Sequence, residues 1–359
     1  MALPAWGAAT ELAPRALIFP RDHGTHNSAR TEWWYLTGHT TDANGKAYGF
    51  QVTFFRSRVD ATQAMQSRLA AKQLLFAHAA ITDVNGQKLW HDQRIARWNG
   101  EPPDSAAAME SPGAEFALEN DTHVALRGWA MRRLPDGSYQ VRVRATDFQI
   151  EVNATPTQAP LLQGQQGFSR KGPETAQSSF YVSKPQLAVS GRLGVPNRSI
   201  PVAQGRAWLD HEWSESLLHP EAVGWDWIGI NLDNGASLTA FRLRRADGSA
   251  LWSGGSWRSA ALGNDSAGAE IFAYNTVRFE PLRWWTSPLT QARYPVEWRV
   301  VTPSGEFAVK ALIDAQELDS RQSTGTVYWE GLSDLLDAQG QRVGRGYLEM
   351  TGYAQRLVL

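Results

Sequence analysis

The chain has 359 residues, a formal net charge of −1 and no cysteine. Its charges are dispersed, so no basic stripe favours nucleic acid, no basic amphipathic helix favours a membrane surface, and the apolar runs fall far short of a membrane-spanning helix. Without cysteine there are no disulfides, no thiolate catalysis and no cysteine-ligated zinc or iron–sulfur sites. The length suits two domains or one large all-β domain. Sixteen tryptophans are the compositional anomaly. Aromatic core filling accounts for most of them, but not for those standing beside His, Asp and Glu.

The opening "MALPAWGAATELAP" lacks a positive segment followed by an apolar one. Met1-Ala2 ahead of a loose Ala/Pro/Gly stretch nevertheless reads as an expression start on an exported protein whose signal has been trimmed, so a periplasmic or secreted location is expected. "FPRDHGTHNSARTEWWY", 19–35, then concentrates titratable and aromatic groups. Side chains alternate along a strand. Trp33, Tyr35 and Thr37 therefore share one face, and Glu32, Trp34 and Leu36 the other. A strand with a single buried face needs aromatics on that face only, yet this one carries them on both.

Further along, "YGFQVTFF" 48–55, "YQVRVRA" 139–145 and "YPVEWRVV" 294–301 read as strands, separated by Asn-Gly and Asp-Gly turn signals such as "DANG" 42–45 and "LDNG" 232–235. The best helical candidate is "DATQAMQSRLAAKQLL", 60–75. "PTQAPLLQGQQGFSRKGPETAQSS", 156–179, reads as a long loop. "SGGS", 253–256, reads as a turn rather than a nucleophile elbow, since no GxSxG is present. The run 33–56 is echoed by 225–245, each an aromatic strand, an Asn-Gly turn and a strand ending in Phe and Arg. A second hairpin ending in Leu-Trp follows in both halves (79–90 and 243–252). Two echoes in the same order indicate duplication. The expected architecture is all-β, with two barrel-like domains over 1–188 and 189–359 and a shared inter-domain junction.

The second chemical segment, "GRAWLDHEWSES" 205–216 with "GWDWIGINL" 224–232, places Asp210 between Trp208 and Trp213, with His211 and Glu212 adjacent. A carboxyl among aromatic rings is desolvated and its pKa rises, which fits a proton donor near neutrality. A strand-end Asp bonded to backbone N–H groups is the alternative reading. Asp226 in "GWDW", Glu330 in "YWEG" and Glu349 in "YLEMTGY" have similar settings. His23, His26 and His211 with a carboxylate could ligate a metal, but no HExxH or other closed ligand pattern is present. Loop-bracing histidines are the plainer reading, and neither metal nor cofactor is expected.

"PRDHGTHNSARTEWWYLTGH", "GRAWLDHEWSES", "GWDWIGINLDNG" and "YWEG…GRGYLEMTGY" together resemble the AttH/CrtC lipocalin-like family of carotenoid 1,2-hydratases and predicted secreted hydrolases, over roughly residues 19–354. The resemblance implies two tandem lipocalin-like β-barrels, export, and association with ABC-transporter operons. In the hydratases an aromatic-x-Asp pattern supplies the acid that protonates an isolated C=C bond. Trp208-Leu209-Asp210 matches it, with Trp where the hydratases favour Tyr.

These readings combine into an expectation of an exported lipocalin-like protein that binds an apolar, lipid- or isoprenoid-like ligand as an accessory to an ABC export system. A transporter permease is the expected macromolecular partner, and nucleic acid is excluded. The alternatives are a hydratase or hydrolase with Asp210 as general acid, and a non-catalytic docking module. The expected catalytic group is Asp210, His211, Glu32 and His26. The expected ligand contacts are His23, Trp33, Trp34, Tyr35, Trp208, Trp213, Trp225, Trp227, Tyr328, Trp329 and Glu330. On this reading "EWWY" fills its own barrel with one face and lines a pocket against the second domain with the other.

Overall fold

The computed structural model of the protein describes residues 12–215, 218–265 and 268–357. The Met1-Ala2 start, on which the trimmed-signal expectation rests, lies outside the described residues. β-branched and aromatic runs punctuated by Asn-Gly and Asp-Gly turns fold into antiparallel hairpins. These join into a 14-stranded and a 10-stranded sheet, which form tandem lipocalin-like barrels. In the first, Thr31–Thr41 lies between Ala47–Arg58 and Gln204–Ser214, and Ser178–Val195 follows Gln204–Ser214. The far ends of that sheet are drawn together by Arg94, which donates to the Arg127 carbonyl and, at 2.7 Å, to the Arg144 carbonyl while covering the Trp129 ring.

In the second sheet Ala222–Leu232 occupies the place that Thr31–Thr41 holds in the first. Three sequential strands run out from it on one side, Ser237–Arg245, Ala250–Arg258 and Glu270–Ile271. On the other side Arg342–Met350 and then Thr326–Leu336 correspond to Gln204–Ser214 and Ser178–Val195. The "EWWY" and "GWDW" strands are thus topologically equivalent, as a duplication requires.

Four local expectations differ from the structure. Residues 60–75 form only a short 3-10 turn, Asp60–Thr62, before the strand Gln73–Asp83 begins. Met65 and Leu69 are exposed there, so a helix would have had no apolar face to bury. "SGGS" lies within the strand Ala250–Arg258. Its glycines make room for a close neighbour, since a Cβ on Gly255 would stand 2.2 Å from the Thr239 carbonyl oxygen. The 156–179 segment contains the short strands Leu161–Leu162 and Phe168–Arg170, both paired with Ser178–Val195. Finally, the division at 188/189 falls inside Ser178–Val195. The first sheet continues to Ser214, because its "LDHEW" strand must pair with "EWWY", and the chain crosses to the second sheet before Ala222.

Candidate active-site cavity between the barrels

Register builds the site. Thr31–Thr41 pairs with Gln204–Ser214 so that Trp33 stands opposite Glu212 and Tyr35 opposite Asp210. Directly paired side chains point to the same face. Trp33, Tyr35, Trp208, Asp210 and Glu212 therefore face the second barrel. Trp34, Leu36 and Leu209 turn the other way and join the core of the first. In the second barrel Trp227 stands opposite Glu349, and Glu349 opposite Glu330. Between these faces lies a cavity of about 330 Å³. Its wall is largely aromatic, with Trp33, Tyr35, Phe55, Trp225, Trp227, Phe241 and Tyr328, and it also carries Asp210, Glu212, Glu330 and Glu349. Aromatics on both faces of "EWWY" are explained by two environments, a barrel interior and this cavity.

Asp210 is 2% exposed and accepts three hydrogen bonds. Oδ1 takes the Ser183 hydroxyl at 2.6 Å and the Trp208 indole N–H at 2.7 Å. Oδ2 meets the Tyr181 hydroxyl at 2.7 Å, and that oxygen is itself approached by the Trp227 N–H at 3.2 Å. With Oδ1 occupied by two donors, an acid proton belongs on Oδ2. Tyr181, the partner of Oδ2, lines the cavity, whereas Ser183 and Trp208, the partners of Oδ1, do not. Burial pushes the Asp210 pKa up to about 7 against the pull of those hydrogen bonds. Asp210 is thus braced by side chains, not by the backbone N–H groups of the alternative reading. The phenol that the aromatic-x-Asp pattern leads one to seek at position 208 comes instead from Tyr181, on the neighbouring strand.

Glu212, unlike Asp210, has a cationic partner. It accepts from the Ser179 hydroxyl at 2.5 Å and lies 3.1 Å from the Lys171 ammonium, which is set over the Tyr181 ring at 4.0 Å.

His26, Glu32 and His211 form a separate network behind the cavity wall. Glu32 Oε1 lies 2.8 Å from His26 Nδ1 and 2.9 Å from His211 Nε2. Its Oε2 accepts from Arg56 at 3.0 Å, Thr25 at 2.8 Å and the His26 backbone N–H at 2.9 Å. His26 reaches Asp22 at 3.0 Å and stacks on Trp213 with centroids 3.7 Å apart. Burial opposes charge throughout, yet His26 and Arg56 hold Glu32 well below the usual carboxylate range, and Glu32 and Asp22 lift the His26 pKa. For His211 burial prevails and the pKa falls. The three could offer ligand atoms within 4.8 Å of one another. Those atoms already bond to each other, and the Arg56 guanidinium on the same carboxylate disfavours a cation. The trio braces the 20–30 loop against the barrel.

Trp33, Tyr35, Trp225, Trp227, Tyr328 and Glu330 line the cavity, with Asp210. Trp208 supports Asp210 from beneath. Neither His26 nor His211 lines the cavity, and Glu32, which borders it, turns its carboxylate into the network. Trp34, Trp213 and His23 pack on that same far side, where the Trp34 indole donates to the His23 carbonyl at 3.2 Å. Trp329 belongs to the second barrel's core. Asp226 is paired with Arg242 at 2.7 Å and Tyr353 at 2.9 Å, away from the cavity. Tyr181, Ser183, Lys171 and His78 were not anticipated. The alternation "SSFYVS", which places Ser179, Tyr181 and Ser183 on one strand face, is the signal that could have revealed the first two.

The AttH-like family model matches residues 10–353. The chain belongs to the AttH-like family. Its fold matches the crystal structure of a proposed AttH from Nitrosomonas europaea with a TM-score of 0.84 and 44% identity, covering 96% of this chain and 100% of that one. Kievitone hydratase from Nectria haematococca matches with a TM-score of 0.70 and 12% identity over 95% of this chain and 94% of its own. CghA in complex with Sch210972 matches with a TM-score of 0.56 and 12% identity over 90% and 88%. At that identity the last two report the shared AttH-like fold. No curated protein matches the chain.

Proposed function

We propose that the protein is a hydratase that adds water across a carbon–carbon double bond of an apolar, isoprenoid-like substrate held between its barrels, with Asp210 as the general acid. The observation that carries this reading is a buried carboxyl lining an aromatic cavity, one oxygen fixed by two donors that do not line it and the other bonded to Tyr181, which does. Asp210 transfers its proton to one alkene carbon. The other carbon becomes cationic beside the ring faces of Trp227, Tyr35 and Trp225, where each cation–π contact contributes about 0.5–2 kcal/mol. Water then adds to that carbon and releases one proton, which is returned to Asp210 to close the cycle. Trp208 and Ser183 hold the carboxyl in place, and Tyr181 hydrogen-bonds the oxygen that loses the proton. A positioned acid of this kind typically contributes roughly 10²–10⁴-fold. The hydratase among the fold relatives supports the reaction class. We carry export and an ABC-transporter permease partner as part of this proposal on the family resemblance alone.

The test uses lipid extracts of the protein's own cells, incubated with the protein in water enriched in heavy oxygen. A new alcohol carrying the label is expected with wild type and is expected to disappear with Asp210→Asn. An unmodified lipid that co-purifies with both proteins, with no labelled product, would make the cavity a binding site and not an active site.

A further inference from the structure

The cavity wall contributed by the second barrel holds an acid that the protonation step does not use. Glu330 and Glu349 stand directly opposite each other on neighbouring antiparallel strands. Such pairs share a face, with Cβ atoms roughly 4.5–5.5 Å apart. Both line the cavity, and Glu330 is 2% exposed. Among the described residues neither forms an ion pair with Lys, Arg or His. The cations nearby are engaged elsewhere, Lys171 with Glu212 at 3.1 Å and Arg56 with Glu32 at 3.0 Å. Two carboxyls this close in an apolar wall do not both ionise, and they titrate as a unit. Burial raises both, Glu349 to about 7 and Glu330 well above the ordinary range, where the Glu349 charge adds to the effect.

The surroundings of the pair contain donors but no counter-ion. The Gln51 amide meets Glu330, its NH₂ donating in the orientation that satisfies both groups. Tyr35, Tyr328 and Tyr347 are held neutral beside it, and Asp210 and Glu212 act on Glu349 from the first barrel. A separate observation points to a ligand. Tyr35 is 7% exposed and lines the cavity, and among the described residues its hydroxyl makes no well-formed hydrogen bond, although Glu330 stands near enough to act on it. The duplication supplies the geometry. Asp210 is paired with Tyr35 and Ser183, and Glu349 with Trp227 and Glu330, so the two barrels present acids at equivalent register on facing walls.

We infer that Glu330 and Glu349 form a one-proton carboxyl pair that receives the proton of the attacking water, while the Tyr35 hydroxyl holds that water's oxygen. The inference rests on the reading of Asp210 as the acid. Asp210 gives its O–H proton to one alkene carbon and is left as a carboxylate. The other carbon bonds to the water oxygen, and the proton released passes to the ionised member of the pair. Return of one proton from the pair to Asp210 restores the starting state. One water has been added, and no proton is consumed.

A proton acceptor must be ionised while Asp210 is not, and this can be read without the natural substrate. Octanol and N,N-dimethyloctylamine, the latter protonated near neutral pH, are titrated into the protein and followed by tryptophan fluorescence, since Trp33, Trp225 and Trp227 line the cavity. Glu330→Gln and Glu349→Gln combined, which remove the pair's single charge, are expected to lower the affinity ratio of amine to octanol by about tenfold, as loss of a charge-assisted contact does, whereas either substitution alone leaves one carboxyl free to ionise and is expected to keep most of the ratio. Asp210→Asn is expected to leave the ratio unchanged. If only Asp210→Asn lowers it, the charge sits on Asp210 and both the pair and the acid are wrong. If the double variant does not lower it, or if it and Asp210→Asn lower it equally, the pair assignment is overturned and the Asp210 reading stands on its own test. Should a glutamine variant fail to fold, or neither probe bind, carbonyl NMR of isotope-labelled Glu in the wild type decides. Two coupled steps, with one proton retained above neutrality, support the pair, and full ionisation of both groups in the ordinary acidic range overturns it.

Discussion

Asp210 makes a prediction about stability that needs no substrate. Its pKa moves from 3.8 to about 7 on folding, so the folded protein binds this proton more tightly than the unfolded chain does. The associated stability is fully present below the unfolded value and is lost as pH rises through the folded one. Over that window, roughly pH 4 to pH 7, the loss attributable to this group is on the order of 4 kcal/mol. The Asn side chain has nearly the same shape. Its carbonyl can accept from Ser183 and Trp208, and its NH₂ can donate to the Tyr181 oxygen. Asp210→Asn is therefore expected to melt close to wild type at mildly acidic pH and above it at neutral pH, with a flatter dependence on pH between. Thermal melts of both proteins across the window check this. A variant that melts well below wild type at every pH would mean that Asp210 is ionised and structural. Asp210 itself was legible in the sequence, because Trp neighbours signal desolvation. Tyr181 and Ser183 were not, because they reach Asp210 across a strand pair and nothing local marks them.

At the scale of the strand, "TEWWYLTGH" and "GRAWLDHEWS" act as one two-faced ribbon. Alternation alone separated Trp33 and Tyr35 from Trp34, and that division survives in the structure. What alternation did not supply was the sorting of neighbours. His211 and Asp210 are adjacent in sequence, so grouping them as one catalytic set was natural, yet adjacent strand residues point to opposite faces. Glu32, His26 and His211 belong to the barrel side, where Glu32 receives charge-assisted bonds from His26 and Arg56. Removing one partner from a buried network leaves the other charges uncompensated, which costs about 3–5 kcal/mol. Glu32→Gln should thus lower the melting midpoint strongly, whereas the isosteric change at Asp210 should not. Similar midpoints for the two variants would contradict this division of roles. The 60–75 segment shows the opposite failure, where local helix propensity was outweighed because Met65 and Leu69 had nothing to pack against.

At the scale of the whole molecule, the duplication was legible because hairpin order and turn chemistry are written locally, while the point of crossing was not. The strand that completes the first sheet, Gln204–Ser214, lies beyond the loop-like segment that suggested a boundary, and only its long-range pairing with Thr31–Thr41 assigns it. The same arrangement makes the barrels mechanically dependent on each other. Tyr35 and Trp208 of the first pack with Trp227, Phe241, Leu332 and Tyr347 of the second in one apolar cluster. Buried polar bonds cross the same junction: His78 to Tyr328 at 2.8 Å, Thr82 to Gln316 at 3.1 Å, Gln163 to Thr239 at 3.2 Å, and the Gln186 backbone N–H to Asn231 at 2.7 Å. Separating the barrels would expose that cluster and leave these groups without partners, each unmet bond costing about 1–3 kcal/mol. The expected result is a single cooperative unfolding transition, with calorimetric and van't Hoff enthalpies in agreement. Tyr328→Phe, which takes the phenol from buried His78, should lower the midpoint without splitting the transition. Two resolved transitions in the wild type would mean that the barrels are held loosely. A cavity whose facing walls carry Asp210 on one barrel and Glu330 and Glu349 on the other could not then keep its acids in register, and the catalytic reading would lose its geometric basis.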